Sequence, residues 1–147
     1  MHIHKQVTIA CPPAKLWRCL TEPAIQKQWL VDVIDDIPDD PAKRGAGAFS
    51  TMRIREGGKV QVYRSLVTAW EPERKLAIQL TGGSFAAGMA MDVTYAIASD
   101  DAGSVLDYDV IVPLQGFAFK LMAPLIWVVS QSNARKALDK LAEVSRK

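Results

Sequence analysis

The chain has 147 residues, 49% of them hydrophobic and 23% charged, with a formal charge of +2. That balance excludes a disordered or fibrous protein, and so small a charge with scattered Lys and Arg excludes a nucleic-acid footprint. A chain of this length can bury roughly 70% of its unfolded surface, enough for one core and a modest cavity, so residues 1–147 are read as a single domain.

Met1-His2-Ile3-His4-Lys5 leads into a strand pattern and not into the apolar stretch of a signal peptide, which makes the cytoplasm the expected compartment. Ile3, Val7 and Ile9 alternate along this first strand and leave His2 and His4 facing outward. Cys11-Pro12-Pro13 stops it. Pro13 suits the first turn of a short helix on which Leu16 and Leu20 lie one turn apart, and Thr21 is placed to cap a second helix carrying Ile25 and Trp29. Cys11 and Cys19 flank the helix start without a CxxC partner, so they read as two small reduced thiols and not as a zinc site.

The acidic run Asp32, Asp35, Asp36, Asp39 and Asp40 lacks the glycine and closing glutamate of a calcium loop, and Pro38 and Pro41 break its spacing. It reads as a solvated loop; no metal and no cofactor are expected. Beyond it comes a series of strands. Residues 47–56 and 59–70 flank Glu56-Gly57-Gly58-Lys59, a hairpin turn in which the glycines can adopt positive φ. Arg64 shares an alternation with Val60, Val62 and Leu66 and is expected to point inward, unless a register break turns it outward. Leu76, Ile78 and Leu80 then alternate. A fifth strand puts Met89, Met91, Val93, Tyr95 and Ile97 on one face, and a sixth puts Leu106, Tyr108, Val110 and Val112 inward with Asp107 and Asp109 toward water.

Consecutive hairpins make an antiparallel meander, and a sheet apolar on one face must bury that face. Residues 114–146 supply the cover. Phe117, Leu121, Leu125 and Val128 form one helical stripe and Ala134, Leu138 and Leu141 another, with Pro124 kinking or dividing the helix between them. A helix laid across a curved sheet leaves a gap that side chains need not fill. Its candidate lining is Met89, Met91, Tyr95, Leu106, Tyr108, Val110, Phe117, Leu121 and Leu125, with Arg64 as the charged group able to meet a ligand carboxylate, phosphate or enolate. Plain core packing is the competing account of each apolar member.

This order resembles the START-like superfamily, also called SRPBCC, which includes polyketide cyclases and the birch-pollen-allergen fold. The resemblance rests on Val7-Thr8-Ile9-Ala10-Cys11-Pro12, Trp17, Leu20-Thr21-Glu22-Pro23 and Trp29. Gly45-Ala46-Gly47 and Trp70-Glu71-Pro72-Glu73-Arg74-Lys75-Leu76 extend it. It implies an α+β helix-grip fold: a curved antiparallel sheet of six or seven strands, two short helices after the first, and a long C-terminal helix over the concave face. It also implies a small to medium hydrophobic ligand, lipid- or polyketide-like, as partner.

Three function classes follow: carriage of that ligand, a cyclase, aromatase or dehydratase using the same space, and a protein-interaction module similar to the heat-shock chaperone activators. For chemistry the parts are few, because no histidine lies beyond residue 4 and only Arg64, Tyr95 and Tyr108 could act. Segment 117–129 is apolar almost all round except for Lys120. It is too short for a membrane span, which leaves a homodimer surface, transient membrane docking to collect a lipid, or cover by neighbouring elements.

Overall fold

In β1 (His2–Ile9) Ile3 and Ile9 are buried while His2 and His4 stay exposed, as the alternation requires. The computed structural model describes residues 2–30, 32–56, 58–83, 85, 88–112 and 135–146. Two short helices follow: α1 (Pro13–Thr21) and α2 (Pro23–Trp29), each with proline in its first turn. Then come β2 (Val33–Pro38), β3 (Phe49–Glu56), β4 (Lys59–Glu71), β5 (Lys75–Gly82), β6 (Ala90–Asp100) and β7 (Gly103–Ile111). All seven strands form one antiparallel sheet in the order β1-β7-β6-β5-β4-β3-β2. The two helices carry the chain from one edge of the sheet to the other. Residues 135–145 form a last helix, α3.

The core lies between the inward face of the sheet and these helices. Leu16 and Leu20 of α1, Leu106 of β7 and Leu141 of α3 are all at most 1% exposed and belong to one cluster with Ile9, Val93 and Val110. On α3, Leu138, Leu141, Ala142 and Ser145 share a buried stripe at helical spacing, which puts this helix over the concave face. Trp17 and Trp70 meet edge to face with centroids 5.1 Å apart, joining α1 to β4. The β6–β7 turn is held against the end of β1, where Ser104 Oγ donates to Cys11 O at 2.7 Å. Gly103 makes that approach feasible, since a Cβ there would sit 2.5 Å from Ile9 O and its φ is +132°.

Three sequence expectations need correction. Val33–Pro38 is not loop but the edge strand β2, in which Asp35 binds Arg53 while Asp36 lies partly buried. Charge on an edge strand discourages pairing with another chain, so the acidic run serves the sheet. Thr21 does not cap α2: it ends α1, and its hydroxyl donates to Trp17 O at 2.8 Å. Arg64 does not point inward. A bulge shifts the β4–β5 register between Val67 and Ala69, so the parity that buries Trp70 does not extend back to Arg64. Tyr63 and Ser65 take the inward positions, at 2% and 4% exposure, while Val60 and Val62 are outside at 52% each.

The expected hairpin pairing of Glu56 with Lys59 is present. Cys11 and Cys19 are buried and unbridged. No helix among the described residues is long and apolar enough to cross a membrane. The calls on Phe117, Leu121, Leu125, Pro124 and the apolar segment 117–129 lie outside the described residues.

Candidate functional site

Between the sheet and the helices the inward side chains do not fill the interior. A cavity of about 480 Å³ is bounded by α2 (Trp29, Leu30), by the sheet (Met52, Ile54, Ile78, Leu80, Met91, Val93, Tyr95, Tyr108), and by Lys136, Ala137 and Lys140 of α3. A second, of about 300 Å³, lies toward α1 and the segment between β2 and β3. The two share Trp29, Leu30, Met52, Ile78 and Tyr95 in their walls, so they adjoin as two lobes of one hollow. A mostly apolar wall with a few polar groups suits a ligand pocket.

Trp29 is fixed at the junction. Its indole N–H donates to Cys19 O at 2.8 Å, and its ring meets Tyr95 edge to face with centroids 6.2 Å apart. That bond satisfies the single indole donor in a buried setting, leaving the apolar ring for the wall. Tyr95 and Tyr108 are register partners on β6 and β7, with ring centroids 5.2 Å apart. Burial, and next the neighbouring Tyr108, push the Tyr95 phenol well above its ordinary value. Burial alone pushes Tyr108 up to about 12. Both hydroxyls therefore stay neutral at physiological pH and can donate or accept a hydrogen bond.

The polar groups of the smaller lobe are different. Asp36, Ser50, Ser65 and Gln26 line it, with Lys43 and Arg44 also in its wall. Gln26 is occupied, donating to Leu20 O at 2.6 Å, and Arg44 donates to Thr21 O at 2.7 Å while stacking over Trp70. Asp36 is not so well served: its Oδ1 is the one buried side-chain polar atom without a hydrogen-bond partner among the described residues. Burial pushes its carboxyl above the usual range, opposed by a hydrogen bond from Ser50 and reinforced by the charge of Asp35.

The structure brings Met91, Tyr95 and Tyr108 of the expected lining together on the larger lobe. Leu106 and Val110 instead sit in the solid part of the core, at 0% and 4% exposure. Met89 is half-buried just ahead of β6 and is not in the described wall of either lobe. Arg64 is on the outer face, where Asp39 accepts from it at 2.8 and 2.7 Å and Thr51 at 2.9 Å. Its guanidinium holds the Asp39 carboxyl below the usual carboxylate range. Sequence reasoning missed Trp29, Met52, Ile78 and Asp36 as wall residues. Trp29 and Ile78 had been recognised as inward by their periodicity, and only the curvature of the sheet separates wall from core.

The family described as polyketide cyclase / dehydrase and lipid transport matches residues 1–146. No curated protein matches the chain by sequence. Among solved structures, TTHA0849 from Thermus thermophilus is 18% identical with a TM-score of 0.79, over 99% of this chain and 97% of that one. The crystal structure of Ara h 8.0201 is 16% identical with a TM-score of 0.76, over 100% and 99%. MLL2253 from Mesorhizobium loti is 20% identical with a TM-score of 0.69, over 98% and 96%. Likeness at this identity establishes the shared helix-grip fold.

Proposed function

The chain belongs to the polyketide cyclase / dehydrase and lipid transport family, and from that premise we propose that it binds or carries a small to medium hydrophobic ligand, lipid- or polyketide-like, in the hollow between sheet and α3. The observation that carries this reading is the larger lobe: about 480 Å³ walled by Met52, Ile78, Leu80, Met91 and Val93. Apolar walls of this kind favour transfer of an apolar body out of water, by about 25 cal/mol per Å² buried. Methionine at two wall positions lets the space adapt to varied shapes. The phenols of Tyr95 and Tyr108 orient whatever polar group the ligand carries, since burial keeps each neutral and both line the larger lobe.

Carriage is preferred to a cyclase, aromatase or dehydratase because Arg64 is engaged with Asp39 on the outer face. Besides Tyr95 and Tyr108 the walls hold Asp32, Lys136 and Lys140 in the larger lobe and Asp36, Lys43 and Arg44 in the smaller, with no histidine among them to move a proton near neutral pH. It is preferred to a chaperone-activator-like module because the interior holds a hollow. As a working unit we take residues 1–147 as one domain, acting in the cytoplasm, where the thiols of Cys11 and Cys19 stay reduced. Self-association through segment 117–129 is compatible with this reading and is assayed separately by sedimentation.

Native mass spectrometry of the purified protein, followed by denaturing extraction, tests the proposal. A retained hydrophobic molecule of defined mass is the expected result. Retention of nothing, together with no uptake from an equimolar panel of fatty alcohols, fatty acids and polycyclic phenols, overturns it.

A further inference from the structure

A strand residue that faces an apolar interior is normally apolar, because a carboxyl there loses its hydration without compensation. Asp36 breaks that rule on β2. Its neighbour Asp35 binds Arg53 on the outer face and Ile37 is 58% exposed, so the alternation leaves Asp36 on the cavity side, paired in register with Met52. Both Asp36 and Met52 line the smaller lobe. Ser50 bonds to the carboxyl, yet Oδ1 remains buried and unpartnered. A buried unsatisfied acceptor in an otherwise well-paired interior calls for an explanation, and a ligand that supplies the missing partner is one.

Resting on the binding reading above, we propose that Asp36 is the specificity-determining residue of this hollow and selects ligands that present a hydroxyl group, alcohol or phenol, to the smaller lobe while their apolar body fills the larger one. The choice of hydroxyl follows from the surroundings. A ligand carboxylate would meet the charges of Asp36 and the adjacent Asp35. A ligand ammonium would match only the ionised carboxyl and would shed its own hydration in an apolar space. A hydroxyl fits either state, donating to the carboxylate or accepting from the acid.

The cations of the lobe do not take the place of the ligand. Arg44 is held by Thr21 O and Trp70, and the charges acting on Asp36 come from Asp35 and not from Lys43 or Arg44. Ser50 supplies one bond to the carboxyl and so fixes its plane, leaving capacity for a second donor. Trp29, Leu30, Met52 and Ile78, common to both lobes together with Tyr95, give the apolar wall that joins the lobe of the carboxyl to that of the phenol pair.

The test uses two probes with the same ring system, 2-naphthol and 2-methoxynaphthalene, which differ in the O–H donor. Binding of each to the full chain is measured by titration calorimetry for the wild type, Asp36→Leu and Asp36→Asn. The wild type is expected to prefer the naphthol by roughly tenfold, the size of one hydrogen bond to a charged or half-buried acceptor. In Asp36→Leu that preference should fall to within about twofold while the methoxy compound binds as before. Asp36→Asn keeps an amide acceptor and should retain an intermediate preference, which also guards against a Leu variant that fails to fold. Equal naphthol preference in wild type and both variants, with both probes still bound, overturns the role of Asp36 and leaves the binding reading standing. Failure of the wild type to bind either probe overturns the role of Asp36, and overturns the binding reading as well when nothing is retained and the panel of fatty alcohols, fatty acids and polycyclic phenols is not taken up.

Discussion

Beneath α1 and the Leu138–Leu141 stripe of α3 the interior is closed, with Ile9, Leu16, Leu20, Leu106 and Leu141 all 1% exposed or less. The hollow lies beside a separate small cluster of Met52, Tyr63 and Leu80, and Met91, Val93, Tyr95 and Tyr108 of β6 and β7 share its wall. The same alternation of apolar residues produces both. What differs is the cover: α1 packs on β6 and β7 and meets β4 through Trp17 and Trp70, whereas Met52, Tyr63 and Leu80 form a cluster apart from these helices. Stability is concentrated in the first region and ligand capacity in the second, so the two should respond separately to substitution.

The largest effect is expected in the closed region. Leu106→Ala should cost about 3 kcal/mol in urea denaturation, within the usual range for a fully buried leucine. Ligand affinity measured well below the unfolding transition should change little. A loss under about 1 kcal/mol would show that this region is not tightly packed. In the hollow the ranking reverses: Met91→Trp should lower affinity for an apolar probe by tenfold or more while costing less than about 1.5 kcal/mol of stability, because the added ring occupies existing space. Undiminished binding would place the ligand elsewhere.

A smaller effect distinguishes the acidic residues of β2 and its continuation. Burial raises the Asp36 carboxyl above the usual carboxylate range, so in the folded protein its ionised form costs stability. That cost is complete above the raised folded value and disappears below the unfolded one; stability from Asp36 therefore rises as pH falls through this window. Asp35 and Asp39 behave oppositely: lowered by Arg53 and Arg64, they lose their contribution as pH falls through their depressed folded values. The stability difference between Asp36→Asn and wild type should accordingly change with pH in the acid range and be flat near neutrality. A difference constant from neutral pH down to the ordinary carboxylate range would contradict the burial of this group. The smallest effect is on the outer face. Arg64→Ala should leave affinity for every anionic ligand unchanged and barely move the denaturation midpoint, as solvent-screened ion pairs do; weaker anion binding in that variant would restore Arg64 to the site.

Much of this division was legible in the residues. The alternation on β1, β6 and β7 placed Ile3, Tyr95, Tyr108 and Val110 inward, and Pro13 with Leu16 and Leu20 placed α1. These segments have one apolar face each, which leaves their period unambiguous. On β4 both faces carry apolar residues, Val60 and Val62 outside and Tyr63 and Val67 inside, so period alone could not choose between them, and Arg64 faces outward in phase with Val60 and Val62. β2 was hidden for a different reason: its own Asp35 and Asp36 and the flanking Asp32, Asp39 and Asp40 are turn and loop formers by propensity, and pairing with β3 overrides that preference. Asp36 could have been found only by asking which aspartate a strand would turn inward. The distinction between Met91 on the wall and Leu106 in the core depends on helix placement, which no local pattern encodes.

The contrast between a closed and a hollow half can be read directly from side-chain methyl resonances. On adding a saturating apolar probe such as 2-methoxynaphthalene, the methyl signals of Met52 and Met91 should shift, while those of Ile9, Leu106 and Leu141 stay where they are. Shifts confined to the second group, or uniform across both, would contradict a ligand hollow beneath α3 beside β2 to β5.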